Sequence, residues 1–444
     1  MNYFEDPFVD KEYKYKFLVY PNITKLDDLE KDSYVDVMRN VISTLNSSVT
    51  DQVFWSIISP KQINSLQFDN TDQLIYELPS YPNLMRTHFD SRDILKSIDW
   101  KSNDYDVVYS HLPEQTDSIA NVMYNSTDMA PKIIGYCHWY EIEENTGYQK
   151  NMFLRNILGT LEMEQCGVNS LWLKNLIIDR SKEFFSNEVT DKLEKIIQPH
   201  YLGTDQDFED IDEIIPNSIL FNHRPNEYTG WQEFLSVMDS LWEKRKDFKV
   251  FCTFECSDKK PWLEKRTDMR KKEYLSFIKK MKVGIGFFKN YSAWSMSTTD
   301  GLSRGLPYIL PNKLCYPEMV GSDYALLYNN ESEFMELLEG ALNDVDFKKK
   351  HRKSLKLISD KLSWSKSLPR WFDGWKFLNE FKPLKNETDS IKDIQSFIKT
   401  NKSVTKKEIK EHLNWGVGIK FTSYRNTLRN NKNILLKKNG YEFI

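Results

Sequence analysis

From Phe17 to Leu342, short apolar runs alternate with longer stretches in which apolar residues recur every three or four positions. A run buried on both faces of a parallel sheet reads as continuous, and a one-sided helix reads with a 3.6-residue period. On that basis Phe17-Leu18-Val19-Tyr20 predicts a strand. Tyr34 to Leu45 predicts a helix, with Val35, Met38, Val41, Ile42 and Leu45 on one side. Further strands are expected at Gln52 to Ile58, Val107 to Tyr109 and Lys132 to Tyr136, the last two separated by a helix over Ile119 to Tyr124. Leu154 to Gln165 reads as a helix, Ser170 to Leu173 as a strand, and Ile196-Ile197 as the start of a short one.

A second cycle follows the acidic segment after Gly203, which carries no core pattern and reads as a hinge. Strands are expected at Ile219 to Phe221, Lys249 to Phe254, Val283 to Phe288 and Tyr324 to Tyr328, with helices over Gly230 to Lys246, Lys271 to Lys280 and Glu331 to Leu342. A long helical stretch, Phe347 to Phe381, closes it. Such alternation predicts an α/β fold of two Rossmann-like lobes, residues 1–203 and 204–384, each with a parallel sheet covered on both faces.

Residues 385–444 change character, with thirteen Lys and Arg against six Asp and Glu in a chain whose formal net charge is −4. Helical patterns fit Ile391 to Lys399, Thr405 to Leu413 and Thr422 to Arg429, and Asn414 to Gly418 supplies a glycine-containing turn. Lys438-Asn439-Gly440-Tyr441 predicts a strand pair. The order is similar to a small winged helix-turn-helix domain, which implies DNA contacts from Lys406, Lys407, Lys420, Ser423, Tyr424, Arg425 and Arg429. A solvated basic face or a protein-binding module remains the alternative.

The remaining composition narrows the class. Five scattered cysteines, Cys137, Cys166, Cys252, Cys256 and Cys315, point to reduced core thiols and a cytoplasmic setting. The N-terminal segment lacks the apolar stretch of a signal peptide, and no run approaches the length of a membrane span. Glycine does not form G-x-G-x-x-G after the first strand, and no P-loop occurs, which disfavours a dehydrogenase or a nucleotide triphosphatase. The acidic pairs Asp205/Asp207 and Asp210/Asp212 lie in the hinge, so no metal is expected.

Candidate chemistry concentrates between Ser292 and Val320. A polar loop leads into a short helix carrying Asp300, then a Gly305-Leu306-Pro307 turn and an apolar strand. Backbone amides near Ser295, Met296 and Ser297 would face an anion at the helix start, and Asp300 one turn inside would accept hydrogen bonds from sugar hydroxyls. Phosphate and sugar in one crevice describe a nucleotide-sugar. Arg224 follows an apolar strand, where a cation calls for an anionic partner, either phosphate or an ion pair. Read alone, Asp300 equally suits an ordinary helix-surface or capping role.

These residues carry a family resemblance. The stretch Asp300-Gly301-Leu302-Ser303-Arg304-Gly305-Leu306-Pro307-Tyr308-Ile309-Leu310 resembles the second half of the signature of retaining GT-B glycosyltransferases, with Asp for Glu and with Ser292 at the first acidic position. Upstream, Ile219 to Arg224 followed by Tyr228-Thr229-Gly230-Trp231 is similar to that family's strand, Arg and Lys-Gly segment, Thr229 standing where Lys is usual. The phage DNA α-glucosyltransferases share this flavour. The resemblance implies donor binding by Arg224, Thr229, Ser292, Ser295, Met296, Ser297 and Asp300. It also implies His138 beside the transferring sugar, a nucleotide-sugar such as UDP-glucose as donor with no cofactor, and a hydroxymethylated base in DNA as acceptor. For His138 the residues themselves leave a second reading, a structural histidine among Tyr136, Trp139 and Tyr140; His111 is a weaker candidate, and Glu141, Glu143 or Glu144 would serve as a base. A glycan glycosyltransferase and an inactive GT-B-like DNA-binding module are the alternatives.

Overall fold

Strands with nearly every residue buried organise both halves of the chain. The computed structural model describes residues 15–23, 29, 32–48, 53–60, 68, 72–78, 91–98, 105–126, 132–142, 147–208, 213–287, 291–375, 395–405, 408–409, 434–437 and 440–443. The first half runs β1 (Tyr15–Tyr20), α1 (Ser33–Ser48), β2 (Val53–Pro60), β3 (Asp72–Leu78), α2 (Ser91–Ser97), β4 (Val107–Ser110), α3 (Pro113–Ser126), β5 (Lys132–Cys137), α4 (Gly147–Leu161), β6 (Gln165–Val168), α5 (Leu171–Ser181), α6 (Asn187–Ile196) and β7 (Ile197–Pro199). Its sheet has the order β3-β2-β1-β4-β5-β6-β7, and the pairings among β1 to β5 are parallel.

The second half runs β8 (Ser218–Phe221), α7 (Trp231–Lys244), β9 (Lys249–Cys252), β10 (Leu263–Lys265), α8 (Lys271–Lys279), β11 (Val283–Ile285), α9 (Met296–Leu302), β12 (Tyr308–Pro311), α10 (Tyr316–Val320), β13 (Leu327–Tyr328), α11 (Glu331–Asn343), α12 (Phe347–Lys361) and α13 (Trp364–Gly374). All its strands pair in parallel in the order β10-β9-β8-β11-β12-β13. Strand order therefore reverses between β8 and β11. In an open parallel sheet, ligands bind outside the carboxyl ends of the strands at such a reversal. Here those ends lead into residues 222–230 and 286–295.

Contacts divide the chain into two compact units, one of Met1–Cys137, Glu141–Cys166 and Asp373–Ile444, the other of His138–Tyr140 and Gly167–Phe372. In the second, Phe221, Phe234, Val250, Ile285, Ile309 and Leu338 belong to one buried core. None of the five thiols forms a disulfide, four of them are buried, and burial pushes Cys252 and Cys315 up to about 12.

One expected strand is a helix. Ser170 to Leu173 opens α5: the Ser170 side chain accepts from the Leu173 amide at 3.1 Å, a helix N-cap, and Leu173, Ile177 and Ile178 then follow helical spacing into the core. The strand lies just before it, in β6. The long helix expected from Phe347 breaks at Leu362-Ser363 into α12 and α13, and the strand expected over Tyr324 to Tyr328 is reduced to Leu327–Tyr328.

In the tail, residues 395–401 are helical, and β14 (Ser403–Thr405), β15 (Ile434–Lys437) and β16 (Gly440–Phe443) form an antiparallel sheet in the order β14-β16-β15. Lys437 pairs with Gly440 in the antiparallel β15–β16 pair, the strand pair expected there. Thr405 and Glu408 exchange hydrogen bonds, the Glu408 amide reaching the Thr405 hydroxyl at 3.1 Å and the Thr405 amide reaching the Glu408 carboxylate at 2.6 Å, a capping box. Lys406, Lys407, Lys420, Ser423, Tyr424, Arg425 and Arg429 lie outside the described residues. Among the described residues no helix is long and apolar enough to cross a membrane.

Candidate functional site

Two side chains directly after β8 fix the start of α9. Asn222 is fully buried; its amide nitrogen donates to the Ser297 carbonyl at 2.8 Å and to the Tyr274 hydroxyl at 2.9 Å. Its amide oxygen accepts from the Tyr308 hydroxyl at 3.1 Å. His223 Nε2 lies 3.0 Å from the Ile285 carbonyl, and its Nδ1 lies 3.5 Å from Ser295 Oγ. A carbonyl only accepts, so Nε2 carries the hydrogen and Nδ1 is left to accept. Burial pushes this imidazole down to about 4, which keeps it neutral near pH 7. Ser295 in turn caps α9, accepting from the Thr298 amide at 3.1 Å and the Thr298 hydroxyl at 2.9 Å. The carboxyl ends of β8 and β11 are thereby joined to the helix that carries Asp300.

Arg224 comes next in the chain and is exposed. Among the described residues no acid pairs with its guanidinium, whereas its carbonyl accepts from the Thr229 hydroxyl at 2.7 Å and the Asn226 amide at 2.8 Å. Thr229 is fully buried, and its hydroxyl closes the loop that presents Arg224. The loop ends at Gly230, whose φ of 69° lies in the left-handed region and where a Cβ would stand 2.1 Å from the Phe287 carbonyl oxygen. Only glycine meets both conditions.

The amides of Met296 and Ser297 occupy the first two positions of α9, which lie beyond the reach of intrahelical bonding. Asp300 sits on the same helix, with Arg304 Nη1 3.9 Å from its Oδ1. Gly305, at φ 74°, turns the chain from this helix toward β12. Ser292 is buried with its hydroxyl 3.7 Å from Cys315 Sγ, so an uncharged group occupies this position.

His138 follows β5, and its carbonyl accepts from the side-chain amide of buried Asn169 at 3.1 Å. The adjacent Trp139 meets Tyr291 edge-on with ring centroids 4.1 Å apart and approaches Tyr228 at 6.1 Å. His138's segment thus packs on the loops that hold Arg224 and Ser292. His111 belongs to the other unit, buried among Tyr34, Tyr109 and Tyr136 at 4.7–6.2 Å. The Glu141 amide donates to Asn156, whose side chain donates to buried Glu114 at 2.8 Å.

The residues that hold the site together, Asn222, His223, Tyr274 and Tyr308, were not singled out by sequence reasoning. The signal for two of them was available: a polar pair placed directly after four buried strand residues at a reversal of strand order. Burial raises the Tyr274 and Tyr308 phenols above their ordinary range, so both act as neutral hydrogen-bonding groups. Glu318 is a further omission; it accepts from the Leu171 amide at 2.6 Å, the Trp172 amide at 3.1 Å and the Tyr201 hydroxyl at 2.6 Å. Among the described residues no cluster of three or more His, Cys, Asp or Glu side chains is arranged to hold a metal.

No family model and no curated protein matches the chain. Solved structures match it in fold. Anabaena HepE in complex with UDP and glucose aligns with a TM-score of 0.59 at 7% identity, over 82% of this chain and 99% of that one. The lipopolysaccharide outer core galactosyltransferase WaaB aligns at 0.56 and 11% identity, over 81% and 98%. Sucrose-phosphate synthase from Thermosynechococcus elongatus aligns at 0.60 and 10% identity, over 83% and 99%. At these identities the likeness is one of fold, and it establishes the α/β GT-B architecture expected from the sequence.

Proposed function

We propose that this chain is a nucleotide-sugar-dependent glycosyltransferase. The observation that carries the reading is the junction at the strand-order reversal, where Asn222 and His223 tie the exposed Arg224 to the α9 start and to Asp300. Arg224 and the Met296 and Ser297 amides would stabilise the negative charge that develops on the departing diphosphate, and Asp300 would receive the ribose hydroxyls. The UDP held by HepE and the galactosyltransferase activity in the name of WaaB support a sugar donor of this class.

In the proposed reaction the bond from the sugar's anomeric carbon to the diphosphate oxygen breaks as a bond to the acceptor oxygen forms on the same face, with retention. The acceptor's proton passes to the departing phosphate oxygen. His138 lies beside the transferred sugar in this scheme, and Thr229 acts by shaping the Arg224 loop. For the acceptor we propose a hydroxymethylated base in phage DNA, in a host-cell cytoplasmic setting. It is supported by the basic excess of residues 385–444 and by the three-stranded sheet and capping box found there. A second reading, a glycan acceptor, is favoured by the lipopolysaccharide named for WaaB.

The test is incubation with a panel of nucleotide-sugars, hydroxymethylated duplex DNA and glycan acceptors, following released nucleotide and sugar on the acceptor. Sugar on DNA supports the first acceptor, and sugar on a glycan supports the second. Neither hydrolysis nor transfer with any donor would leave an inactive GT-B-like chain.

A further inference from the structure

Asp300 stands beside a second charge that the reading above does not use. Arg304 is 6% exposed, and its Nη1 donates to the Asp300 carbonyl and to the Ser303 hydroxyl, both at 3.0 Å. The same nitrogen lies 3.9 Å from Asp300 Oδ1, while Nε is buried and makes no hydrogen bond. A guanidinium does not give up its proton in a protein, so this charge stays and needs an anion nearby. Among the described residues Asp300 is the acid with which it makes an ion pair. The packed neighbour Tyr274 on α8 is a partly buried neutral phenol that lies in the field of both charges.

The pair is unequally open. Asp300 keeps 18% of its side chain exposed and Arg304 only 5%, so the carboxylate is the half that a ligand reaches. Removing the carboxylate from such a pair leaves the buried guanidinium uncompensated, so Arg304 is drawn to Asp300. We propose that Arg304 is the positioning residue for Asp300: its buried guanidinium holds the carboxylate aimed at the ribose hydroxyls of a nucleoside diphosphate, without itself touching the ligand. The inference rests on the proposed donor site.

The experiment compares calorimetric affinity for UDP with that for 2′,3′-dideoxy-UDP, in proteins whose cooperative thermal melting is checked first. The wild-type chain should prefer UDP by roughly ten- to a hundredfold, the range for hydrogen bonds to a charged group. Asp300→Asn should bring the ratio near one. Arg304→Gln should do the same although it leaves Asp300 in place, Arg304→Lys should fall between, and adding Asp300→Asn to Arg304→Gln should cost nothing more. Arg304→Gln with the wild-type preference overturns the proposal; if that variant does not fold, Arg304→Lys with the full wild-type preference does so. A wild-type chain that ignores the ribose hydroxyls, or fails to bind UDP, overturns the donor-site reading and this inference together. A preference abolished by Asp300→Asn but kept in the Arg304 variants overturns only the role of Arg304.

Discussion

Both ring nitrogens of His223 face groups that suit the neutral ring, and protonation would set an N–H against the Ser295 hydroxyl that already accepts twice. His200, stacked on Trp371 at 4.9 Å and buried, is likewise pushed down, to about 3. A histidine whose folded pKa is depressed contributes stability in full above its unfolded value of about 6.5, and the contribution is lost as pH falls from there toward the folded value. Stability should therefore drop by roughly 1.4 kcal/mol per pH unit for each histidine between about pH 6 and pH 4. Thermal melting across that range checks it, and His223→Asn should flatten the dependence. Arg224→Ala and Asp300→Ala should each lower donor affinity about ten- to a hundredfold; melting should be unchanged for the exposed Arg224 and lowered for Asp300, whose loss leaves the Arg304 charge uncompensated. Titration with a nucleoside diphosphate is the measurement, and unchanged affinity in both variants would sink the site. Arg224 and Asp300 stand out in the sequence because a cation close behind an apolar run, or a carboxylate ahead of a Gly-Leu-Pro turn, is conspicuous. The partners of Thr229 and Ser292 were not legible: a hydroxyl looks the same whether it faces a ligand or, as with Thr229, a carbonyl five residues back.

Most strands buried on both faces were readable, β6 being the exception. The strands β1, β4, β5, β8 and β12 are almost entirely buried, and a both-faces environment leaves an unbroken apolar signature. The strands β3 and β10 went unseen because, among the described residues, one side of each has no neighbouring strand and their sequences are correspondingly mixed. The strand expected at Ser170 failed for another reason: four apolar-rich residues fit either period, and the deciding feature was the Ser170 cap rather than hydrophobicity. Removing that cap with Ser170→Ala should cost about 1 kcal/mol in denaturant unfolding. Gly230→Ala should cost more, of order 1–3 kcal/mol, because it meets both a left-handed backbone and the Phe287 carbonyl. A variant as stable as wild type would mean that the Arg224 loop is more pliant than its geometry implies.

At the scale of the whole chain, the repeated strand-helix alternation gave away the two parallel sheets, since each cycle writes the same pattern twice. The acceptor left no such mark: acceptor chemistry depends on a few polar groups, while periodicity reports burial. For the tail the test is truncation at about Pro383. If residues 385–444 hold DNA through phosphates, the truncated chain should lose DNA affinity and keep donor hydrolysis. Affinity of the full chain should fall with salt by a logarithmic slope of about −0.9 for each phosphate neutralised. Equal DNA binding by both chains would assign the tail another role. Glu318 bears on the molecule at the same scale, since its carboxylate gathers amides 147 and 146 residues away in sequence together with the Tyr201 hydroxyl. First-turn amides of a helix ordinarily trade their hydrogens with water quickly, having no carbonyl to shield them. Those of Leu171 and Trp172 should instead trade slowly, at a rate set by how often the α10 segment lifts away, and Glu318→Ala should release both. Two backbone hydrogens followed in heavy water thus become a clock for the separation of segments that the sequence keeps far apart.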